Sequence, residues 1–431
     1  MTEPGAVVWA VRHGGPGDEL RVHAAADNEG RLMVALQYAE TASFGGAPLT
    51  ADVVGDVAVL AYGAGGEHRW SVSVGSGARI RVGGIATDAN GDVFVAGDYE
   101  GASVFDEENS LTSAGKSDAF VAKFSGESGA LVWVSSLGAL GEDRAGAVAV
   151  DGDGGVYVAG AFSDTLVLGD SSIVSAGDTD VFVAKLTTDG AIEWGARFGS
   201  AGADLVTDAT VDASGELIVV GAASGAIDFG GGVRGWTGGY DGFGFKLSGQ
   251  GEHVWSAMWG GPGDDRAQVV RARADGAFVI GGEFVEATSF GGAPLMSLGG
   301  VDGFIASFSA TGAYQWARVI GGSARERLLG MAIDDSGALY IAGGFYGSPD
   351  FGAGPASNAG NQDAFVAKYD STGAYQWVFA TGSPGNDDAD AVLVAGAHVY
   401  GLLSFSDSIS AGGETLVTAG GRDLGIVSLL P

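Results

Sequence analysis

The segment GGPGDDRA (Gly260–Ala267) and its near copy GGPGDEL (Gly14–Leu20) each put glycines, a proline and adjacent acids into one short loop. Carboxylates this close together could serve a hard cation, since Ca2+ takes six to eight oxygen ligands. Asp264 and Asp265, with Asp143 at the same place in another copy, are therefore the candidate metal ligands, and calcium is the candidate ion. The same residues also suit a plain turn, because Asp accepts backbone N–H bonds in tight loops. Which use applies depends on what the loops connect.

Other chemistry is sparse. Five histidines (His13, His23, His68, His253 and His398) show no ligand spacing such as HExxH, and neither a GxSxG elbow nor a phosphate-cradling GxxxxGK[ST] occurs. The absence of cysteine excludes disulfides, thiolate catalysis and cysteine-based zinc sites. No catalytic residue is assigned. With 53 acids against 21 Lys and Arg, the formal charge of −32 argues against nucleic acid and anionic membrane surfaces; it is read first as a solvated acidic surface and second as an attraction for cations or a basic partner. No apolar run of about 18 residues could span a bilayer. The start, MTEPGAVVW, has neither a basic nor an apolar signal region, so either the protein is cytoplasmic or a signal has been removed, and the compartment stays open on this ground.

The elements that position these residues are repeats. Tryptophan recurs at Trp9, Trp70, Trp133, Trp194, Trp255, Trp316 and Trp377, spaced by 61 residues with one interval of 63. Eighteen residues after the Trp stands Asp27, Asp88, Asp151, Asp212 or Asp334, and three further on a Gly in six units. An Asp precedes a later apolar run in every unit: Asp56, Asp118, Asp180, Asp241, Asp302, Asp363 and Asp423. In the third unit AGAVAVD, VYVAGAF, VFVAKL and AIEWGARF are strand-like runs punctuated by Asp-Gly turns, which predicts four antiparallel strands, A to D. Seven such units predict an all-β, seven-bladed β-propeller forming a single domain over residues 1–431. The opening GAVVWAVR reads as a strand D and the closing LGIVSLLP as a strand C, so the N-terminal strand is expected to complete the last blade.

With DGDGGVYVAG, DAFVAKF and GGPGDD in hand, the chain resembles the bacterial seven-bladed β-propeller repeat family known as SBBP repeats, from Trp9 to Ser428. It departs from the family pattern in FGG sequences at Phe44, Phe229 and Phe290, and in the eroded VAVLAY and GIVSLL. The resemblance implies an envelope or secreted bacterial protein, often a surface or adhesion component, and supplies no catalytic residues.

Set on this frame, GGPGDDRA is the connection from strand D of one blade to strand A of the next. Its second acid recurs as Glu19, Asp143, Asp204, Asp265, Glu326 and Asp387, broken only by Ile80, and reads as structural. The first acid varies, so Asp18, Glu142 and Asp264 are candidates for ligand contact. The Trp series reads as packing between blades, whereas Trp236, in VRGWTGGYD, is a candidate exposed contact. On strand A, His23, Asp208 and Arg271 interrupt a track of Gly and Ala and could form a polar site at the channel mouth. The expected function is a monomeric binding or adhesion module for a protein, glycan or cation, acting through the loop face with the acidic connectors. The competing expectations are a hydrolase or lyase at the channel and a passive structural spacer.

Overall fold

The computed structural model describes residues 3–431 except 53, 54, 76 and 78. Its regular structure is entirely β, and seven antiparallel four-stranded sheets are arranged as the blades of a β-propeller. In the third blade, strand A is Asp143–Val150, B is Val156–Phe162, C is Asp180–Leu186 and D is Ile192–Phe198. The others follow the same order: the first blade starts with Glu19–Ala26, the second with Ile80–Thr87, the fourth with Asp204–Val211, the fifth with Arg266–Ala272, the sixth with Glu326–Ile333 and the seventh with Asp388–Ala395.

Strands B and C are almost continuously buried because both their faces are covered, and they are apolar apart from the Asp near the start of each strand C and a few buried polar residues such as Lys123 and Asp98. In the third blade Val156, Val158 and Phe182 pack toward the second blade, while the alternate residues Tyr157, Ala159, Val181 and Val183 pack toward the fourth. The core is thus seven separate clusters, one at each blade junction. Each fully buried Phe or Val side chain contributes about 1.5–3 kcal/mol.

The strand-D tryptophans tie the outer ends of the junctions. Trp9, Trp70, Trp133, Trp194, Trp255 and Trp316 lie against Gly66, Gly129, Gly190, Gly251, Gly312 and Gly373 in the next blade's C-to-D turn, and Trp377 lies against Gly5. Trp70, Trp133 and Trp194 also donate their indole N–H to carbonyls of that turn, those of Gly126, Thr188 and Gly249. At Gly129 only glycine fits: φ is +72°, and a Cβ would stand 2.5 Å from the Trp70 ring.

Ring closure follows the expectation. Val7–His13 pairs antiparallel with Asp423–Leu429 as strand D of the seventh blade. The D-x-x-G segments are tight turns: Gly154 N–H bonds the Asp151 carbonyl at 3.0 Å, and the Asp151 carboxylate accepts the Asp153 and Gly155 amides. Two features exceed the four-strand reading. Strand A carries a β-bulge at the same position in every blade. The B-to-C connection is itself a small hairpin in the first, second, third, fourth and seventh blades, and in the fifth it merges into long strands B and C.

Candidate functional site

The seven inner strands leave a narrow central channel of about 100 Å³ lined by residues of all seven blades. Val22, Gly83, Gly146, Thr207, Gln268, Leu329 and Asp390 occupy the bulge positions in order, and all of them except Gly146 line the channel. Towards the A-to-B turns the channel widens into a mouth of about 250 Å³. His23, Asp208 and Arg271 all line the channel. Asp208 and Arg271 belong to adjacent blades and form an ion pair at 2.6 Å between the narrow part and the mouth. The Asp208 carboxylate also accepts the Val270 and Ala209 amides, and Arg271 donates to the Val270 carbonyl, so this pair is heavily committed. Burial first, and Arg21 second, push the His23 imidazole down to about 4, which leaves it neutral at pH 7.

Asp390 also lines this channel, and sequence reasoning missed it. Burial, then the charge of Asp388, raises its carboxyl to about 7, and its Oδ2 has no hydrogen-bond partner. The strict alternation assumed for strand A hid this residue, because a bulge residue falls outside a period of two. A groove of about 710 Å³ between the fifth and sixth blades was also missed; it is lined by Arg273, Gln315, Trp316, Asp334 and Ser371 among others. The signal for it was Arg273, which stands where five other units have the turn Asp.

The connectors gather at the opposite end from the channel mouth, beside the B-to-C hairpins. The second acid of each connector is buried and accepts the amide four residues before it, as in Ala139 to Asp143 (2.9 Å) and Gly261 to Asp265 (2.7 Å). The Asp at strand C does the same in all seven blades, from Asp52 to Asp56 at 3.0 Å through Ala419 to Asp423 at 2.9 Å. The two series meet, because the connector acid of one blade stands beside the strand-C Asp of the blade before. Buried in this company, Asp143 and Asp265 are each raised to about 7, by burial first.

The three candidate metal ligands do not form one set. Asp265 and Asp143 face inward at different junctions, and Asp264 faces outward, taking the Tyr240 amide at 2.9 Å. Adjacent residues of an extended chain point to opposite sides, which separates Asp264 from Asp265. Among the described residues, no group of three or more His, Cys, Asp or Glu could hold a metal ion. The first acids are also engaged: Asp18 accepts the Arg422 amide as Asp264 accepts that of Tyr240, and Glu142 pairs with Arg144 at 3.0 Å and Lys116 at 3.5 Å.

Trp236 lies in the fourth blade's B-to-C connection, 43% exposed, with its indole N–H on the Gly239 carbonyl of its own loop. It has exposed apolar company on neighbouring hairpins: Val167 and Val174 in the third blade, Val233 in the fourth, and Met296 and Leu298 in the fifth.

Neither a family model nor a curated protein sequence matches the chain. Among solved structures it is similar to BamB from Moraxella catarrhalis, at 13% identity and a TM-score of 0.41, covering 99% of this chain and 100% of that one. It is similar to puromycin hydrolase at 12% identity and a TM-score of 0.47, covering 94% of this chain and 54% of that one. The Neurospora crassa Pan2 WD40 domain aligns at 11% identity and a TM-score of 0.41, covering 81% and 89%. Likenesses this distant concern the fold alone. Among the described residues no helix is long and apolar enough to cross a membrane.

Proposed function

We propose that this propeller is a non-enzymatic binding scaffold that recognises a protein partner through the face formed by the acidic connectors and the B-to-C hairpins. The observation that carries this reading is the run of exposed apolar side chains, Val167, Val174, Val233, Trp236, Met296 and Leu298, across three consecutive blades. Large apolar groups exposed on the loops of neighbouring blades, on a surface that is otherwise highly acidic, support an interaction site. The acids around them, such as Asp264 and Glu142, suit a partner with a basic rim and speed its approach. A glycan is the other organic ligand that Trp236 could serve. On the resemblance to SBBP repeats, the setting we propose is the bacterial envelope or exterior, with the whole chain as one monomeric domain; a cytoplasmic setting is the alternative.

The test is site-specific photo-crosslinking in the native host at positions 174, 236 and 296, with positions 153, 250 and 336 on the opposite face as controls. Crosslinks to a defined partner confined to the hairpin positions support the reading. Equal or no labelling on both faces overturns it, and a binder on a glycan array that is lost in Trp236→Ala would transfer the site to a sugar.

A second reading, a hydrolase or lyase at the channel, draws on the convergence of His23, Asp208, Arg271 and Asp390. Against it, Asp208 is already engaged by Arg271 and two amides.

A further inference from the structure

Four carboxyls at two of the blade junctions are unlike the rest. At Glu19 and Asp423, where the seventh blade meets the first, and at Glu326 and Asp302, where the fifth meets the sixth, the two side chains are 0% exposed and stand within hydrogen-bonding reach of each other. Where the connector acid is Asp, as at Asp143 or Asp265, only the charge of the strand-C partner is felt. The extra methylene of Glu explains the difference, since it carries the carboxyl across the junction to the Asp.

In both pairs one oxygen of each Glu is committed to the loop and the other is orphaned. Glu19 Oε2 takes the Gly15 amide at 3.4 Å, and Glu326 Oε2 takes the Gly322 amide at 2.9 Å. Glu19 Oε1, Asp423 Oδ1 and Glu326 Oε1 are buried with no donor. Asp302 Oδ1 shares the Gly322 amide at 3.1 Å. Two ionised carboxylates cannot sit side by side in so dry a place without a neutralising partner.

The charged groups facing each pair do not remove the problem. At Glu19–Asp423 the closing strand contributes Arg12, whose guanidinium bonds Asp423 Oδ2, and His13, whose ring stacks on Tyr62 and faces His68. Arg12 balances one negative charge and leaves the second. The flanking Asp18 and Arg422 engage each other through the Arg422 amide, and the Arg422 guanidinium goes to Asp388 at 3.2 Å. At Glu326–Asp302 neither acid has an ion-pair partner among the described residues; the adjacent Arg325 turns to Glu283 at 3.1 Å. A hard cation is a poor substitute, because it wants six to eight oxygens and the surroundings here present amide N–H groups.

We propose that Glu19–Asp423 and Glu326–Asp302 each hold one shared proton in the folded ring, and that its release to solvent loosens the junction, making blade closure pH-sensitive. Consistent with this, Glu19 is pushed up to about 9 and Glu326 to about 8, by burial first and the neighbouring Asp second. Stability then falls as pH rises, because across that window the unfolded chain has given up protons that the ring must keep.

The experiment compares thermal melts of the full chain between pH 5 and pH 9 for wild type, Glu19→Gln, Glu326→Gln and the double variant. The neutral amide replaces the protonated acid, so the wild-type decline in Tm with rising pH should flatten in each single variant and most in the double, which should melt above wild type at pH 9. Parallel profiles would overturn the proposal. Infrared spectroscopy of the wild type needs no variant to fold: a neutral carboxylic-acid carbonyl stretch that persists at pH 8, above the values near 7 of Asp143, Asp265 and Asp390, and is lost by pH 10 is expected, and its absence at pH 8 overturns the proposal. Chelator and calcium are included at each pH, and a Tm that follows calcium instead of protons also overturns it.

Discussion

Trp377, on the outer strand of the sixth blade, lies against Gly5, just ahead of the strand that completes the seventh. The contact repeats at the far end of the chain what Trp70 does with Gly129 within it. Trp377→Ala should therefore destabilise the ring by about 3 kcal/mol, the lower part of the range for truncating a buried Trp. Urea unfolding measures this; a loss below about 1 kcal/mol would mean that closure rests on the strand pairing alone.

His13 predicts an acid limb. Burial, then His68 and Arg12, lower its imidazole from 6.5 to about 4. Between those values the unfolded chain binds a proton that the folded chain refuses, so stability is lost as pH falls from 6.5 through 4. His13→Phe should flatten this limb by up to about 3 kcal/mol, the equivalent of a shift of two to three pH units. Denaturant titrations at pH 4.5 and 7 give the comparison.

Ile80 stands where Glu19 and Glu326 stand in their blades, and both it and Asp56, the strand-C acid of the blade before, are buried. Ile80→Glu should create a further carboxyl pair there. We expect a loss of about 3 kcal/mol at neutral pH from burying the acid in place of a fully covered side chain, and a steeper decline as pH rises. A pH-independent loss would show that the new carboxyl reaches solvent instead of staying buried.

The Asp208–Arg271 pair lends itself to a double-mutant cycle. Arg271 is 35% exposed at the side chain and Asp208 is 21% exposed, so solvent screens the pair and its coupling should be about 1 kcal/mol. Asp208→Asn and Arg271→Met with the double variant would measure it by chemical denaturation.

Trp236→Ala is expected to change stability by less than about 0.5 kcal/mol, because its hydrogen bond stays inside its own loop and its ring is half in solvent. The same variant should weaken partner binding at least tenfold if this indole is an anchor of the hairpin face, as interface tryptophans often are. Calorimetry and crosslinking yield read the two effects separately.

Repetition made the blades legible. Trp9 through Trp377 and Asp56 through Asp423 recur at intervals of 60 to 63 residues, and each Trp packs on the next blade's glycine while each Asp caps the loop ahead of its own strand C. What escaped the sequence was either non-periodic or non-local. Asp390 was hidden by a bulge that breaks the alternation of strand A. The hairpins are too short to carry a pattern, with strands as brief as Thr41–Ala42. Glu19 and Asp423 were each recognised as members of a structural series, yet nothing along the chain indicates that a connector acid meets the strand-C acid of the blade before it. That meeting depends on how two consecutive blades pack, which a single unit does not encode.

The pairing of Val7–His13 with Asp423–Leu429, reinforced by the Gly5 amide on the Leu430 carbonyl at 2.9 Å and the Leu430 amide on Ala6 at 3.0 Å, sews the two ends together. During synthesis the strand at Val7–His13 must therefore wait, unpaired, until the strand at Asp423–Leu429 has emerged. Six blades can assemble as they emerge, but the seventh forms only after release of its late strands. Joining these ends and opening the chain at another connector would let an ordinary blade finish last, and such a permutant should spare the nascent chain its long exposure of an unsatisfied edge.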